Sequence, residues 1–235
     1  MALKDDLAKA VDAILSQEWN VREGQVVPKT EDVALAGGAV KLNATLLYAD
    51  LADSTELAMN YDRRIAAKVF KCFLSCSSKI ISARGGEIRS FDGDRVMGVF
   101  VGKTKNTSAA KCALNINYAF LKIIKPKLEA KYTVLKSDSY KLAHCTGVDT
   151  SEVLVVRGGI RVHNDLVWVG RAPNVAAKLS GLRESPYYSF ITEDVYKVMD
   201  VSCKKNEGKD MWEKRSWKAV KGLETVYRSS WTWAP

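Results

Sequence analysis

Histidine is scarce in this 235-residue sequence: only His144 and His163 are present. So few imidazoles argue against a histidine-built metal centre and against a Ser-His-Asp triad, and both are expected to be structural. Cysteine is also sparse. Cys72, Cys76, Cys112, Cys145 and Cys203 form no C-x-x-C pair and no zinc-finger spacing. They read as free thiols in a reducing compartment, with Cys72 and Cys76 at i and i+4 of a helix and facing the core together. No apolar run approaches the roughly 20 residues of a membrane span; the longest are short pieces such as Phe120-Leu121-Lys122-Ile123-Ile124. The stretch from Met1 to Asp6 lacks the apolar region of a secretory signal, and a cytoplasmic protein is expected. Basic residues are dispersed, without a run of five, and aromatics do not interleave with them. The net charge of +9 therefore reads as a solvated basic surface with a focused anion pocket, not as a nucleic-acid footprint.

What the chain does contain is the balance of a soluble globular protein, 47% apolar and 27% charged residues. Residues 46–55, Leu-Leu-Tyr-Ala-Asp-Leu-Ala-Asp-Ser-Thr, run from an apolar strand into a carboxylate and then an Asp/Ser/Thr turn ahead of a helical pattern. That order places Asp50 at a strand's carboxyl end, with the N–H groups of residues 51–55 forming an anion-binding concavity. A carboxylate beside such donors suits a triphosphate with its divalent cation, and an ordinary helix cap suits the same residues. Residues 85–100 alternate on both sides of Asp92-Gly93-Asp94, the pattern of a hairpin with a tight Asp-Gly turn. Beside the first strand, Asp94 at its tip approaches Asp50, and two carboxylates can bridge cations roughly 3.5–4 Å apart. A solvated turn aspartate fits the same spacing.

Four segments in order resemble the class III nucleotidyl cyclases. They are Tyr48-Ala49-Asp50-Leu51 with Ser54-Thr55, Gly93-Asp94 in its hairpin, Val167 to Lys178 with Gly170 and Asn174, and Val220-Lys221-Gly222 with Thr225-Val226-Tyr227. The resemblance covers about residues 43–228. With the Asp-Gly-Asp-Arg hairpin and the Trp19 to Gly24 leader, it is most similar to the pyrimidine cyclases of bacterial antiphage (Pycsar) systems.

The resemblance implies an α+β fold, a ferredoxin-like βαββαβ sandwich of the class III cyclase type with an N-terminal helical extension. Residues 1–40 form a helix and extended leader, and 41–235 the catalytic domain. It implies that Asp50, Asp94 and the Leu51 carbonyl hold two Mn²⁺ or Mg²⁺ ions. Ala52, Asp53, Ser54 and Thr55 then supply phosphate donors, Asp53 being also a helix cap, and Lys221 reaches the outer phosphates. Asn174 orients the ribose. Lys178 stands where the family has an arginine, so a point charge replaces a bidentate fork. Ser90 and Val167 replace the purine-reading pair. With Trp168, Tyr48 and Arg95 they are the base-pocket candidates, while Tyr48 and Arg95 read equally as a core aromatic and a solvated arginine.

The implied reaction converts UTP to 3′,5′-cyclic UMP and pyrophosphate, with the product signalling to an effector during phage infection. A cytidylate cyclase is the alternative within the class. A non-catalytic nucleotide-binding module and a polymerase-type palm lie further away. Because the family builds each site from two subunits and every part occurs once here, a head-to-tail homodimer with two shared sites is implied.

From apolar spacing alone, helices are predicted over 3–18, 54–82 and from an Asn106 cap to Pro126, and another over 173–182. Strands are predicted at 43–50, 140–147, 152–157, 166–169, 189–192, 212–217 and 220–227.

Overall fold

The computed structural model describes residues 2–136 and 140–235. Helix α1 (Leu3–Leu15) buries none of its residues. Strand β1 (Asn20–Glu23) pairs in parallel with the start of β2 (Gly38–Leu51), so the leader joins the central sheet. There follow α2 (Ser54–Asn60), α3 (Arg63–Ala83), the hairpin strands β3 (Glu87–Asp92) and β4 (Arg95–Phe100), α4 (Lys105–Ala119) and α5 (Lys125–Lys131). The long strand β5 (His144–Gly159) turns back through β6 (Asn164–Gly170) into α6 (Arg171–Ser180). The chain ends with β7 (Ser189–Thr192), α7 (Glu193–Val198), a small ribbon of β8 (Lys205–Asn206) and β9 (Lys209–Asp210), and the hairpin β10 (Glu213–Val220) and β11 (Leu223–Ser229).

The main sheet has the order β10-β11-β7-β5-β2-β4-β3, with β1 added on β2 and β6 on β5. Its β5-β2-β4-β3 portion with α3 and α4 is the expected βαββαβ unit. β2 reads as an almost unbroken apolar run because both of its faces are covered. Val40, Leu42, Ala44 and Leu46 pack toward Ala172 and Ala176 of α6. Leu47, Ala49 and Leu51 belong to the other layer, with Phe73 of α3 and Phe120 after α4.

Several boundaries depart from the pattern in the sequence. The helix expected over 54–82 is two, broken where Asp62 caps α3 by accepting from the Arg64 amide at 2.8 Å. Thr104, not Asn106, stands at the start of α4; Asn106 is buried and accepts from Thr45 Oγ1 at 2.8 Å. Pro126 does not end the helical stretch. It sits in the first turn of α5, where a missing N–H is tolerated, after a π-helical turn at Phe120–Ile124. The two strands expected between 140 and 157 are one, beginning at His144. All five cysteines are free, but the pair Cys72 and Cys76 does not face the core together: half-buried Cys76 packs against it while Cys72 is exposed. α4 is buried nearly all round, and two of its polar residues hold the chain's end: Asn115 donates to the Trp233 carbonyl at 2.7 Å and Asn117 to that of Trp231 at 2.8 Å.

Helix α6 is seated by two features. Gly147 of β5 lies under it so closely that a Cβ there would stand 2.2 Å from the Ala176 carbonyl oxygen. At its start, Arg171 donates to both carboxylate oxygens of fully buried Asp149, at 3.0 and 3.1 Å, and to Asp194 at 2.6 Å. Thr192 also donates to Asp149, at 2.6 Å. Removing the guanidinium leaves a buried carboxylate without its charge partner. Arg171→Ala is therefore expected to lower stability by about 3–5 kcal/mol in urea unfolding; a loss below about 1 kcal/mol, the worth of a surface pair, would contradict this role.

Candidate active site

Strand register brings Asp50 and Asp94 together. Ala49 of β2 pairs with Val96 of β4, and Asp92 pairs with Arg95 across the hairpin. The two-residue turn is therefore Gly93-Asp94, not Asp92-Gly93, and Gly93 takes the left-handed φ of +60° that the turn demands. Asp94 is carried to the carboxyl end of β2, beside Asp50. Burial, and then the charge of Asp94, push the Asp50 carboxyl above the usual carboxylate range against the opposing pull of Arg183. Asp94 Oδ2 is itself buried with no hydrogen-bond partner among the described residues. Two carboxylates thus face one another with too little positive charge between them.

The turn after Asp50 is tighter than its sequence suggests. The Ala52 amide, expected as a phosphate donor, already donates to the Ala143 carbonyl at 2.9 Å. Asp53 precedes α2 with φ +54°, but its side chain makes no capping bond. Its carbonyl accepts from the Leu57 amide at 3.2 Å. Ser54 and Thr55 open α2 and are half-buried and exposed.

Three base-pocket candidates lie next to this pair. Met97 of β4 pairs with both Ser90 and Tyr48, which sets Ser90, Met97 and Tyr48 in one row across β3, β4 and β2. The Arg95 guanidinium lies 5.3 Å from the centre of the Tyr48 ring and donates to Asp92 at 2.7 Å. Burial raises the Tyr48 hydroxyl pKa, with Arg95 opposing.

The remaining candidates lie elsewhere within one chain. Asp50 pairs with Cys145 and Trp168 pairs with Val155, ten residues further along β5. That is about 33 Å of strand. Val167 is exposed and Trp168 packs on the cluster of Val40 and Val155, so neither walls the pocket at Asp50 of the same chain. Asn174 and Lys178 share the exposed face of α6, where Asn174 donates to the Gly170 carbonyl at 3.1 Å. Lys221 is exposed in the β10–β11 turn, beside Gly222 at φ +82°.

One residue at the site carries no sequence signal. Arg183, beyond α6, donates through Nη2 to Asp50 Oδ2 at 3.1 Å and to the Leu51 carbonyl at 3.4 Å. Its Nε lies 3.7 Å from Asp53 Oδ1. His144 is structural, as expected of it: its Nε2 meets Asn117 Oδ1 at 3.0 Å, and burial holds its pKa down at about 3.

Among the described residues no group of three or more His, Cys, Asp and Glu side chains could hold a metal ion. The candidate set is instead two carboxylates and a backbone carbonyl. That half-shell of hard oxygens fits Mg²⁺ or Mn²⁺, which keep water and substrate phosphates as their other ligands. The unpartnered oxygen of Asp94 is the structural mark of that fit.

The raised carboxyl of Asp50 has a consequence for stability. The folded state holds its proton to higher pH than the unfolded chain, so stability falls as pH rises through that window and stays reduced above it. Without divalent cations, Asp50→Asn should melt above wild type at pH 7, with the gap closing as pH falls through the carboxylate range. A wild type that melts higher at pH 7 in scanning calorimetry would contradict the repulsion.

No family model matches the chain. Its full length, however, aligns with curated proteins. It is 48% identical to the uridylate cyclase of Rhodovulum sp. (strain MB263), over 98% of this chain and 97% of that one. It is 43% identical to the uridylate cyclase of Xanthomonas perforans, over 99% of both chains. Among solved structures, the adenylyl cyclase CyaB of P. aeruginosa superposes with a TM-score of 0.66 at 20% identity, covering 81% of this chain and 95% of that one. The architecture is that of a class III cyclase domain, and the chain belongs to the uridylate cyclase family.

Proposed function

We propose that this chain converts UTP to 3′,5′-cyclic UMP and pyrophosphate in a homodimer with two shared active sites. The observation that carries the reading is the convergence of Asp50 and Asp94, hard oxygen ligands of which Asp94 Oδ2 has no partner among the described residues, next to Tyr48, Ser90 and Arg95. The full-length relatives named uridylate cyclases support the choice of UTP.

Cyclisation requires the ribose 3′-hydroxyl to attack the α-phosphorus in line while pyrophosphate leaves, and positioning with charge stabilisation is enough. Asp50, Asp94 and the Leu51 carbonyl would hold two Mn²⁺ or Mg²⁺ ions, which would supply Lewis acidity for the hydroxyl and charge neutralisation for the phosphates. With the Ala52 amide committed to Ala143, the phosphate donors of this turn reduce to Asp53, Ser54 and Thr55. Tyr48 presents an aromatic edge and Arg95 a guanidinium beside the metal carboxylates, so they are the residues to read the pyrimidine, with Ser90 in the same row. Asn174 and Lys178 face solvent on α6, available to a ribose and phosphate bound at a partner's carboxylates. Val167, Trp168 and Lys221 would act in the same trans sense. Similarity to the Pycsar cyclases extends the proposal to a cytoplasmic antiphage signal read by a cyclic-nucleotide-responsive effector. No described helix is long and apolar enough to cross a membrane.

Purified protein incubated with each of the four nucleoside triphosphates and Mn²⁺ should form cyclic UMP from UTP, detected by mass spectrometry. Cyclic CMP as the main product would instead favour the cytidylate alternative. Asp50→Ala or Asp94→Ala should each lower turnover by at least about a thousandfold, the several kcal/mol assigned to the bound cations. Mixing Asp50→Ala with Asn174→Ala should restore about a quarter of wild-type activity, since half of the exchanged dimers hold one intact site of two. No recovery after demonstrated subunit exchange would refute sharing.

A further inference from the structure

Arg183 occupies the acceptors that the divalent cation needs. Its Nη2 lies 3.1 Å from Asp50 Oδ2 and 3.4 Å from the Leu51 carbonyl oxygen, and its Nε approaches Asp53. Two of those acceptors, Asp50 and the Leu51 carbonyl, belong to the candidate metal shell. A guanidinium and a divalent cation compete for these oxygens and repel each other as like charges. We propose that Arg183 is the internal counter-cation of the carboxylate pair, exchanged for the divalent ion when the site is loaded.

The surroundings suit an exchange more than a fixed structural bond. The main chain beside Arg183 is pinned: Leu182 donates to Leu179 at 3.1 Å, and Tyr187 to the Glu184 carbonyl at 2.7 Å. Glu184 is in turn clamped by Arg215 and Arg228. The Arg183 side chain is 35% exposed although Asp50 is only 17% exposed, so the contact lies at the solvent edge, where a competing ion can reach it. Through Nη1 it retains the Ser180 carbonyl at 3.0 Å, so the side chain has a second anchor when Asp50 is released. It also lines a cleft of about 220 Å³ with Asp53, Lys125 and Lys141. A guanidinium freed into that cleft is placed to meet a polyphosphate tail, to which it offers a bidentate fork. Arg183 thus neutralises Asp50 before loading and binds phosphate afterwards.

The phosphate role rests on the proposed cyclase activity; the exchange with the cation does not. The test is Mn²⁺ binding without nucleotide, read from the electron paramagnetic resonance of free Mn²⁺, for wild type, Arg183→Ala and Arg183→Lys. Exchange predicts that Arg183→Ala binds Mn²⁺ at least about fivefold tighter, with Arg183→Lys between it and wild type. Asp50→Asn combined with Arg183→Ala should lose the gain. In turnover, Arg183→Ala should raise KM for UTP more than it lowers kcat. Unchanged or weaker Mn²⁺ binding by Arg183→Ala would overturn the proposal. If the cyclase reading itself fails, wild type makes no cyclic product, while the Mn²⁺ titrations still decide the exchange.

Discussion

Like-charge repulsion between Asp50 and Asp94 is the constraint around which this end of the molecule is built. Register in the β2–β4 ladder and the Gly93-Asp94 turn force the two side chains together, and partial burial limits their contact with water. Left alone, such a pair disfavours the folded state at neutral pH. The structure answers with basic groups at the edge: Arg183 on one oxygen of Asp50, and Arg95 behind the turn. Neither reaches Asp94 Oδ2, which stays unpartnered among the described residues. The architecture of the sheet therefore maintains a local electrostatic deficit, which a bound cation would relieve.

A second constraint comes from strand length. β5 is a single strand of 16 residues, pairing with Asp50 near one end and with the β6 signature near the other. Residues that the sequence presents as parts of one site are thereby held far apart in one chain. Seating of α6 by Gly147 and by the Asp149–Arg171 pair fixes this separation, because the helix has no freedom to swing Asn174 toward the carboxylates. In the proposed dimer the same rigidity is useful. It presents a preformed ribose and phosphate surface to another copy, so that neither copy completes a site alone.

Much of this was legible in the sequence where a short-range pattern controls the outcome. The apolar run ending in Asp50, the alternation around Asp94 and the strand at Ser189–Thr192 are all local signals, and each appears in the structure. What was not legible depends on partners distant in the chain. Nothing near Ala52 announces that Ala143 will take its amide, and nothing near Arg183 announces Asp50. Asn115 and Asn117 look like a polar helix face, yet they are buried because the returning tail offers carbonyls to them. The break between α2 and α3 had a local cause in the Asp62 cap, but the apolar spacing on either side masked it. Cys72 shows the same limit, since phase along a long helix decides exposure and apolar spacing fixed it only loosely.

The most direct test is a crystal structure with Mn²⁺ and an unreactive UTP analogue, with the metals located by anomalous scattering. The account predicts two Mn²⁺ peaks roughly 3.5–4 Å apart, both touching Asp50 and Asp94, with Asn174 of a second copy at the ribose and Arg183 turned away from Asp50. Metal bound elsewhere, or one chain holding nucleotide and cations without its partner, would contradict it.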